Sequence, residues 1–397
     1  MTFQELQQKD TTYIANTYNR NPILIQEGRG SELKDGAGRS LIDFSAGIGV
    51  SSAGYGNPDW VKAVTAQIGK LAHISNLFYT QPMIELAEKL CVKTGMRRVF
   101  FSNSGAEANE GAIKTARKYM SDHYPGQRDT ILCLYNSFHG RTIATLSATG
   151  QDNFHKHFGP WPPGFEFTPA NDIAQLHEKC AENVGAIMIE CVQGEGGVIP
   201  LDESFLAEIS GICEKRDILL IVDEIQTGVG RTGKFLCAEH YGLKADIITL
   251  AKGLGGGLPI GAVLFGEKTM ATLGKGDHGS TYGGNPICCA GAGAVIDIMD
   301  EAFLAQVTQK GEYLKERLEQ IPGITKVTGK GLMLGATLEE GIKNAEVISA
   351  CLERGLTLLM AKEKLRFLPP LTITTEEIDK GLGILKEALQ PVKKTNN

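Results

Sequence analysis

The sequence predicts an α/β protein built on a mostly parallel central sheet with helices on both faces. Short apolar runs such as VGAIMI, LLIVD and ADIITL alternate with longer stretches of helical periodicity, which is typical of consecutive βαβ units. The 48 glycines of the 397 residues occur in small clusters between these runs. They indicate many tight connections between strands and helices.

The stretch from Leu219 to Gly257 contains charged residues where two apolar runs stop. LLIVD ends in the acidic pair Asp223 and Glu224, and ADIITL is followed by Lys252 in a glycine-rich turn. Open α/β sheets bind ligands at the carboxyl ends of their strands. Our hypothesis is that the ligand is a cofactor, with Asp223 facing a cationic ring nitrogen and Lys252 forming an imine with an aldehyde.

The length of the chain indicates more than one domain, because a single core rarely grows to 397 residues. We predict a large cofactor-binding domain over residues 57–298. Residues 1–56, an N-terminal arm and the first part of a small domain, and residues 299–397, its second part, read as a smaller α+β unit formed by both chain ends. DGAGR, within residues 35–39, predicts a hairpin turn.

The composition excludes several classes of partner. Lys plus Arg is 40 against 46 Asp plus Glu, a net charge of -6 without a basic run, so we expect no nucleic-acid partner. The nine cysteines lack zinc-site spacing, so we expect no metal and reduced thiols. No signal peptide and no apolar run of about 18 residues is present. We therefore expect a soluble, cytoplasmic protein without a membrane partner.

A helix start after the run RRVFF predicts an anion site. Ser104 and Glu107 form the S-x-x-E pattern of a capping box, so the helix should begin at Gly105. The amides of Gly105 and Ala106 then remain free at the positive end of the helix dipole. Such donors bind phosphate readily.

Two weaker glycine patterns follow the acidic pair. Gly228-x-Gly230-x-x-Gly233 fits a dinucleotide fingerprint, and with Lys234 the same glycines fit most of a P-loop. A P-loop should continue with Ser or Thr, whereas Phe235 stands here, and a dinucleotide site should open a helix directly after the strand. A P-loop nucleotidase is therefore a remote alternative, and we interpret this segment as scaffolding.

The sequence resembles the class III pyridoxal-phosphate-dependent aminotransferases over nearly its whole length, most closely the branch that uses N-acetylornithine. The matching stretches, in the order of that family, are HISNLFYTQP, FFSNSGAEANEGAIKTARKY, NSFHGRT, VQGEGG, LLIVDEIQTGVGRTG, LAKGLGGGLPIGA, HGSTYGGNP and LRFLPP. This resemblance implies the fold of the type I pyridoxal-phosphate enzymes. It also implies pyridoxal 5'-phosphate as the cofactor.

The resemblance assigns roles toward the cofactor residue by residue. It implies that Lys252 is the Schiff-base lysine and moves the proton, and that Asp223 pairs with the pyridinium nitrogen. Gln226 neighbours the phenolate oxygen, and Phe138 stacks on one face of the ring. The two amides at the start of the capped helix hold the phosphate. Many relatives have Thr where Ala106 stands, which removes a possible hydroxyl contact but keeps the amide.

GSTYGGNP resembles the segment that reaches the cofactor of a neighbouring subunit. Ser280 and Thr281 are its hydroxyl residues. The resemblance places Thr281 at the phosphate of the other subunit, which implies a homodimer.

The resemblance also implies a set of substrate-binding residues. Arg141 and Arg366 match the two residues that bind substrate carboxylates. Glu195 matches a gate that pairs with Arg366 when the amino donor carries its amine at the far end, and releases it for glutamate. Tyr18 lies where relatives have an aromatic residue at the substrate entrance.

These assignments imply a reaction that belongs to arginine biosynthesis. The terminal (delta) amino group of N2-acetyl-L-ornithine moves to 2-oxoglutarate, giving N-acetylglutamate 5-semialdehyde and L-glutamate. The alternatives within the class are ornithine, 4-aminobutyrate or succinyl-diaminopimelate as donor. A non-catalytic relative is disfavoured because Lys252, Asp223, Arg141 and Arg366 are all present.

Overall fold

The computed structural model describes residues 2–394. The helices are α1 (Phe3–Tyr13), α2 (Ala46–Gly49), α3 (Pro58–Ile68), α4 (Gln81–Thr94), α5 (Gly105–His123), α6 (Ile143–Ser147), α7 (Asp152–His155), α8 (Ile173–Lys179), α9 (Glu203–Arg216), α10 (Pro286–Ile298), α11 (Glu301–Glu319), α12 (Asn344–Glu353) and α13 (Thr375–Lys394). Short 3-10 helices cover Cys237–Tyr241 and Lys252–Gly255.

The strands are β1 (Ile25–Arg29), β2 (Glu32–Asp35), β3 (Ser40–Asp43), β4 (Arg98–Ser102), β5 (Thr130–Leu134), β6 (Phe165–Thr168), β7 (Val184–Ile189), β8 (Val192–Gln193), β9 (Ile199–Pro200), β10 (Leu219–Asp223), β11 (Ile247–Leu250), β12 (Gly261–Phe265), β13 (Ile324–Lys330), β14 (Met333–Leu338), β15 (Leu356–Thr357), β16 (Leu359–Ala361) and β17 (Lys364–Phe367). No helix within residues 2–394 is both long and apolar enough to span a bilayer.

The central sheet has seven strands in the order β4-β12-β11-β10-β7-β5-β6. Strand β12 is antiparallel to its neighbours β11 and β4, whereas β10, β11, β7, β5 and β6 pair in parallel. The predicted α/β fold with a mostly parallel sheet is confirmed. The carboxyl ends of the parallel strands therefore meet at one edge.

The two faces of this sheet pack against different helices. Along β10, Leu219 and Ile221 belong to a cluster with Ala108 and Ala112 of α5. The alternate residues, such as Leu220, belong to the larger core on the opposite face, where α9 packs against β10. Burial on both faces explains why the strands are almost continuously apolar. Successive residues at a strand end consequently face opposite sides of the sheet.

Strands from both chain ends form the smaller sheets. One sheet has the order β1-β2-β3-β15 and another the order β13-β14-β17-β16. The predicted DGAGR turn joins β2 and β3, and the Asp35 carboxylate accepts hydrogen bonds from the amides of Ala37 (3.0 Å) and Arg39 (2.9 Å). The first β15 residue, Leu356, pairs in parallel with Ile42 of β3. The residue limits of the two domains remain a prediction.

Helix α5 begins at Gly105, as its predicted cap requires. The Ser104 hydroxyl accepts a hydrogen bond from the Glu107 amide at 3.2 Å. The reciprocal bond of the predicted capping box is different, because the Glu107 carboxylate accepts from the amide of Asn103 (2.6 Å) instead of from Ser104. Glu107 thus anchors the loop one residue earlier, and the helix start is unchanged.

The GVGRTGK segment is a sequence of turns after β10. Gly230 and Gly233 have φ values of 85° and 90°, which favour glycine. Between them Arg231 is buried and donates to the carbonyls of Leu332 (3.1 Å) and Pro369 (2.6 Å). Because no helix opens directly after these glycines, the segment lacks the geometry of a P-loop. Its buried arginine instead joins the middle of the chain to the C-terminal part.

Candidate active site

A cavity of about 440 Å³ lies at the carboxyl edge of the central sheet. It is lined by residues that follow β4, β5, β7, β10 and β11 and by those that precede β12. The predicted site residues in its lining are Gly105, Ala106, Phe138, Arg141, Asp223, Gln226 and Lys252. The structure therefore brings together residues from four separate motifs.

Asp223 ends β10 and is held on both carboxylate oxygens. Its Oδ2 atom accepts from Asn109 Nδ2 and lies against His139 Nδ1, each at 2.8 Å, and its Oδ1 atom accepts from the Ile225 amide at 3.0 Å. The carboxylate is 3% exposed and reaches the cavity. A buried carboxylate fixed in this way can pair with a cation in the cavity.

Sequence reasoning missed three buried residues around Asp223: Asn109, His139 and Glu190. Asn109 donates to Asp223 and to the His139 carbonyl (2.7 Å), and its Oδ1 atom accepts from Thr249 at 2.8 Å. Its position four residues after Gly105 placed it on the same helix face. Glu190 directly follows the apolar run of β7, much as Asp223 ends that of β10. An acid at the end of an apolar run was therefore a sign of this residue in the sequence.

His139 is the second buried partner of Asp223. Burial alone lowers the pKa of His139, but the hydrogen bond to Asp223 and the charges of Asp223 and Glu190 raise it above the ordinary value. No partner for the Nε2 atom is found among the described residues. The raised pKa favours a protonated imidazole, which stabilises the ionised form of Asp223. A single histidine in FHGR gave no sign of this contact in the sequence.

Lys252 follows β11 in a 3-10 turn. Its φ of 41° is in the left-handed region, which places the lysine on the turn in an unusual backbone conformation. Burial lowers the pKa of Lys252; Glu195 and Asp223 oppose that shift and Arg366 adds to it. The lowered pKa increases the fraction of neutral amine, which is the nucleophilic form.

The first turn of α5 has the free amides that the predicted anion site requires. No acceptor for the Gly105 and Ala106 amides is found in the described part of the chain, and both residues line the cavity. A Cβ atom on Gly105 would lie 2.9 Å from Ile225, so the close approach of the two loops requires glycine. These amides fit a phosphate group.

Phe138 and Arg141 form the aromatic and cationic wall of the cavity. The Arg141 guanidinium lies 5.4 Å from the Phe138 ring centroid and 4.0 Å from that of Phe154. Phe138 lines the cavity and offers it a flat aromatic surface. Because the two rings carry no net charge, the exposed Arg141 guanidinium can still pair with an entering carboxylate.

Glu195 and Arg366 form an ion pair beside the cavity. Arg366 Nη1 donates to Glu195 Oε1 at 2.5 Å, and the Arg366 side chain is 4% exposed against 28% for Glu195. Gln226 links this pair to the cavity, because its Nε2 atom donates to Glu195 at 3.2 Å. Burial alone raises the pKa of Glu195, but Arg366 reverses this and lowers it. The pair therefore keeps both charges at neutral pH and is lost as the pH falls through the lowered pKa.

Three other predicted residues lie outside the lining of this cavity. Ser280 is close to it, since its hydroxyl accepts from Asn103 Nδ2 at 3.1 Å. Thr281 is exposed. Tyr18, with 71% of its surface exposed, packs near Arg20 in the N-terminal arm. The roles of all three remain predictions.

Comparison with known proteins identifies the family. The family profile described as Aminotransferase class-III matches residues 13–389. The chain belongs to the class III aminotransferases. A relative from Haemophilus ducreyi named acetylornithine aminotransferase is 50% identical over 390 residues, covering 98% of this chain and 99% of the relative. Another of that name from Caldanaerobacter subterraneus is 45% identical, covering 96% and 98%.

Solved structures of class III aminotransferases superpose closely on this chain. The ornithine aminotransferase from Toxoplasma gondii ME49 has a TM-score of 0.95 at 31% identity and covers 100% of this chain and 97% of its own. The N-acetylornithine aminotransferase from Stenotrophomonas maltophilia has a TM-score of 0.84 at 36% identity, with coverages of 97% and 99%. The fold is thus shared along nearly the whole chain.

The cofactor of class III aminotransferases, pyridoxal 5'-phosphate, fits the residues of the cavity. The free amides at the start of α5 suit its phosphate, Phe138 offers a stacking face, and Asp223 suits its ring nitrogen. Lys252, whose lowered pKa favours the neutral amine, suits its aldehyde. Each chemical part of the cofactor has a matching group in the cavity.

Proposed function

We propose that this class III aminotransferase transfers the terminal amino group of N2-acetyl-L-ornithine to 2-oxoglutarate. The products are N-acetylglutamate 5-semialdehyde and L-glutamate, and the reaction belongs to arginine biosynthesis. The Glu195–Arg366 pair beside the Lys252 cavity carries this proposal. The names and full-length similarity of the relatives from Haemophilus ducreyi and Caldanaerobacter subterraneus support the choice of donor.

The pair matters because one cavity must accept two different substrates. N-acetylornithine has no carboxylate next to its reacting amine, whereas glutamate has one. When Glu195 holds Arg366, the charge of the guanidinium is neutralised and the donor chain meets no free cation. When Glu195 moves away, Arg366 becomes available to the carboxylate beside the reacting carbon. Arg141, at the cavity wall, binds the distal carboxylate.

The other residues of the cavity have separate roles toward the cofactor. When bound, pyridoxal phosphate supplies an aldehyde and an electron-withdrawing ring. Lys252, as a neutral amine, would hold the aldehyde and, once released from it, would move a proton at the substrate carbon next to the reacting nitrogen. Asp223, fixed by Asn109 and His139, holds the proton on the ring nitrogen. The Phe138 ring would stack on one face of the cofactor ring, and the α5 amides would hold the phosphate.

We also propose that two copies of the chain form a homodimer with Thr281 at the cofactor phosphate of the partner. Two observations support this arrangement: the bond of Ser280 to Asn103 holds the loop near the site, and its neighbour Thr281 is exposed. The cysteines from Cys91 to Cys351 are all free, which supports a cytoplasmic location. Sedimentation of the holoenzyme tests the dimer, and a monomer at micromolar concentration contradicts it.

A substrate panel tests the proposed donor. We expect kcat/KM for N-acetylornithine to exceed the values for ornithine and 4-aminobutyrate by about 10-fold or more, because the relatives named acetylornithine aminotransferase match nearly the whole chain at 45% and 50% identity. The measurement is glutamate formation from 2-oxoglutarate with each donor at equal concentration. Ornithine is the second candidate, given the structural similarity to the ornithine aminotransferase of Toxoplasma gondii. A preference for ornithine contradicts the proposal.

Lys252→Ala tests the role of the lysine. We expect turnover to fall by about 10⁴-fold or more, since the nucleophile and the proton carrier are both removed. Mass spectrometry after borohydride reduction should show cofactor attached to the wild type and none attached to the variant. Lys268→Ala, which removes a lysine bound to Asp217 at 2.8 Å outside the cavity, is the control. Attachment that persists in Lys252→Ala identifies another lysine.

A further inference from the structure

Two carboxylates occupy the same position at the ends of neighbouring parallel strands. Val222 of β10 pairs with Ile189 of β7, so the next residues, Asp223 and Glu190, follow in register. Residues in register on parallel strands face the same side of a sheet. Both side chains are buried and both line the cavity. The site therefore contains a second acid for which the proposed reaction has no stated use.

Glu190 contacts the site through one direct hydrogen bond. Its Oε2 atom accepts from the Phe138 amide at 3.0 Å. This bond fixes the backbone of the residue whose ring forms the aromatic wall of the cavity. No ion pair of Glu190 is found within the described residues, so its carboxylate is held by a backbone amide and not by a neutralising cation.

We propose that Glu190 is a second acidic positioning residue of the aminotransferase reaction. Its carboxylate holds the Phe138 backbone, and its negative charge acts on Lys252 and on the His139–Asp223 pair. This inference rests on the proposed function, because it concerns the residues that meet the bound cofactor.

The charges around Glu190 come from each element that packs against it. His139 lies after β5, Asp223 ends β10, Lys252 follows β11, and the Cys191 thiol is its chain neighbour. Burial raises the pKa of Glu190 to about 7; His139 and Lys252 oppose the shift and Asp223 adds to it. Glu190 therefore loses its proton as the pH rises through neutrality. The charge gained raises the pKa values of both His139 and Lys252.

Glu190→Gln separates the charge from the shape. The amide oxygen of glutamine can still accept from the Phe138 amide, so the fold and the ring position are kept. We expect the pH midpoint of the visible absorption band of the bound cofactor to fall by about one unit, because one nearby negative charge is removed. We expect kcat near neutral pH to fall by about 10-fold, with little change in KM since Glu190 does not contact Arg141 or Arg366.

The matched control is Glu224→Gln. Glu224 is also buried, its pKa is also raised to about 7 by burial, and it follows Asp223 directly. Its side chain faces the opposite side of the sheet, where it accepts from Thr227 (2.5 Å) and the Ala238 amide (2.7 Å). We expect this variant to keep the wild-type midpoint. Equal midpoints in Glu190→Gln and the wild type overturn the proposal.

Glu190→Asp completes the test and replaces the glutamine variant if that protein does not fold. The shorter side chain keeps the charge at the strand end but withdraws it from the Phe138 amide, so we expect a lower kcat with a midpoint near that of the wild type. If the pH midpoint of Glu190→Asp is displaced as far as that of Glu190→Gln, the proposal is overturned. Wild-type protein that binds no cofactor refutes the proposed function itself, whereas normal cofactor binding with unshifted midpoints refutes only the role of Glu190.

Discussion

Asp223 and Glu224 are consecutive buried acids with opposite surroundings. Asp223 faces α5, is held by Asn109 and His139, and reaches the cavity. Glu224 faces the other side of the sheet and accepts from Thr227 and from the Ala238 amide. The alternation of a β-strand thus places one acid where a ligand binds and the next where it holds a loop.

The same division extends beyond the two acids. On the α5 side, the groups at the sheet edge leave donors and charges open to the cavity, namely the helix amides, Lys252 and Asp223. On the Glu224 side, the chain continues into GVGRTGK, where the Arg231 guanidinium donates to two carbonyls and to Ser52. Burial of a charge is therefore no sign of function by itself. The cavity side differs because some of its polar groups have hydrogen-bonding or charge-pairing capacity that the protein does not fill.

Asp223→Ala should give the largest effect and acts on the cavity side. Removing one member of a buried ion pair costs about 3 to 5 kcal/mol, so we expect kcat to fall by roughly 10² to 10⁴-fold while some cofactor stays bound. Steady-state kinetics and the cofactor spectrum measure this. Glu224→Ala should instead lower the unfolding midpoint and leave kcat of the folded enzyme within about twofold. Near-normal turnover in Asp223→Ala contradicts the assigned role.

Arg231→Ala should affect stability and not chemistry. The carbonyls of Leu332 and Pro369 lose their donor in a buried setting, so we expect the free energy of unfolding to fall by about 2 to 4 kcal/mol. Urea unfolding measures this, and cofactor affinity should stay the same. The control is Arg354→Ala, an exposed arginine that donates to one carbonyl, of Ala350, at 2.8 Å. Loss of cofactor binding at unchanged stability shows that the segment has a ligand role.

Glu195→Gln should have opposite effects on the reaction with the amino donor and on the reaction with 2-oxoglutarate. Without its charged partner, Arg366 remains free, so we expect the reaction with the amino donor to slow by about 10-fold and KM for 2-oxoglutarate to fall. Because the pKa of Glu195 is lowered, the wild type should show no ionisation of this group between about pH 6 and 9. Single-turnover kinetics with each substrate measure the effect. Glu267→Gln, in an exposed pair with Arg97 at 2.7 Å, should change neither half-reaction.

Ser104→Ala should give the smallest effect. Loss of the cap costs about 1 kcal/mol of stability, and the weaker helix start should reduce cofactor affinity by about threefold. Equilibrium dialysis of the cofactor measures this. Asp300→Ala removes a similar cap, in which the Asp300 side chain accepts from the Phe303 amide at 2.7 Å, far along the chain in α11. If both variants lose cofactor affinity equally, the cap of α5 has no specific link to the phosphate.

Local patterns were enough to predict the sheet and the start of α5, because apolar runs and caps depend on neighbouring residues. They were also enough to bring Asp223 and Lys252 to one edge, since carboxyl ends of parallel strands meet there. The Glu195–Arg366 pair joins residues 171 positions apart. No spacing rule reaches that far, and only the family resemblance pointed to it. The His139 contact was missed because a lone histidine in a loop has no periodicity that reports its neighbours.

In the proposed binding mode, helix α5 contributes to both ends of the cofactor at once. Its first residue, Gly105, offers an amide for the phosphate, and Asn109, four residues later, holds the Asp223 carboxylate. At a rise of about 1.5 Å per residue these positions are separated by about 6 Å along one rigid rod. The helix thus fixes the distance between the groups that bind the phosphate and the ring nitrogen. A molecule with the right ring but a shorter or longer arm to its phosphate can bind one of these groups but cannot reach the other.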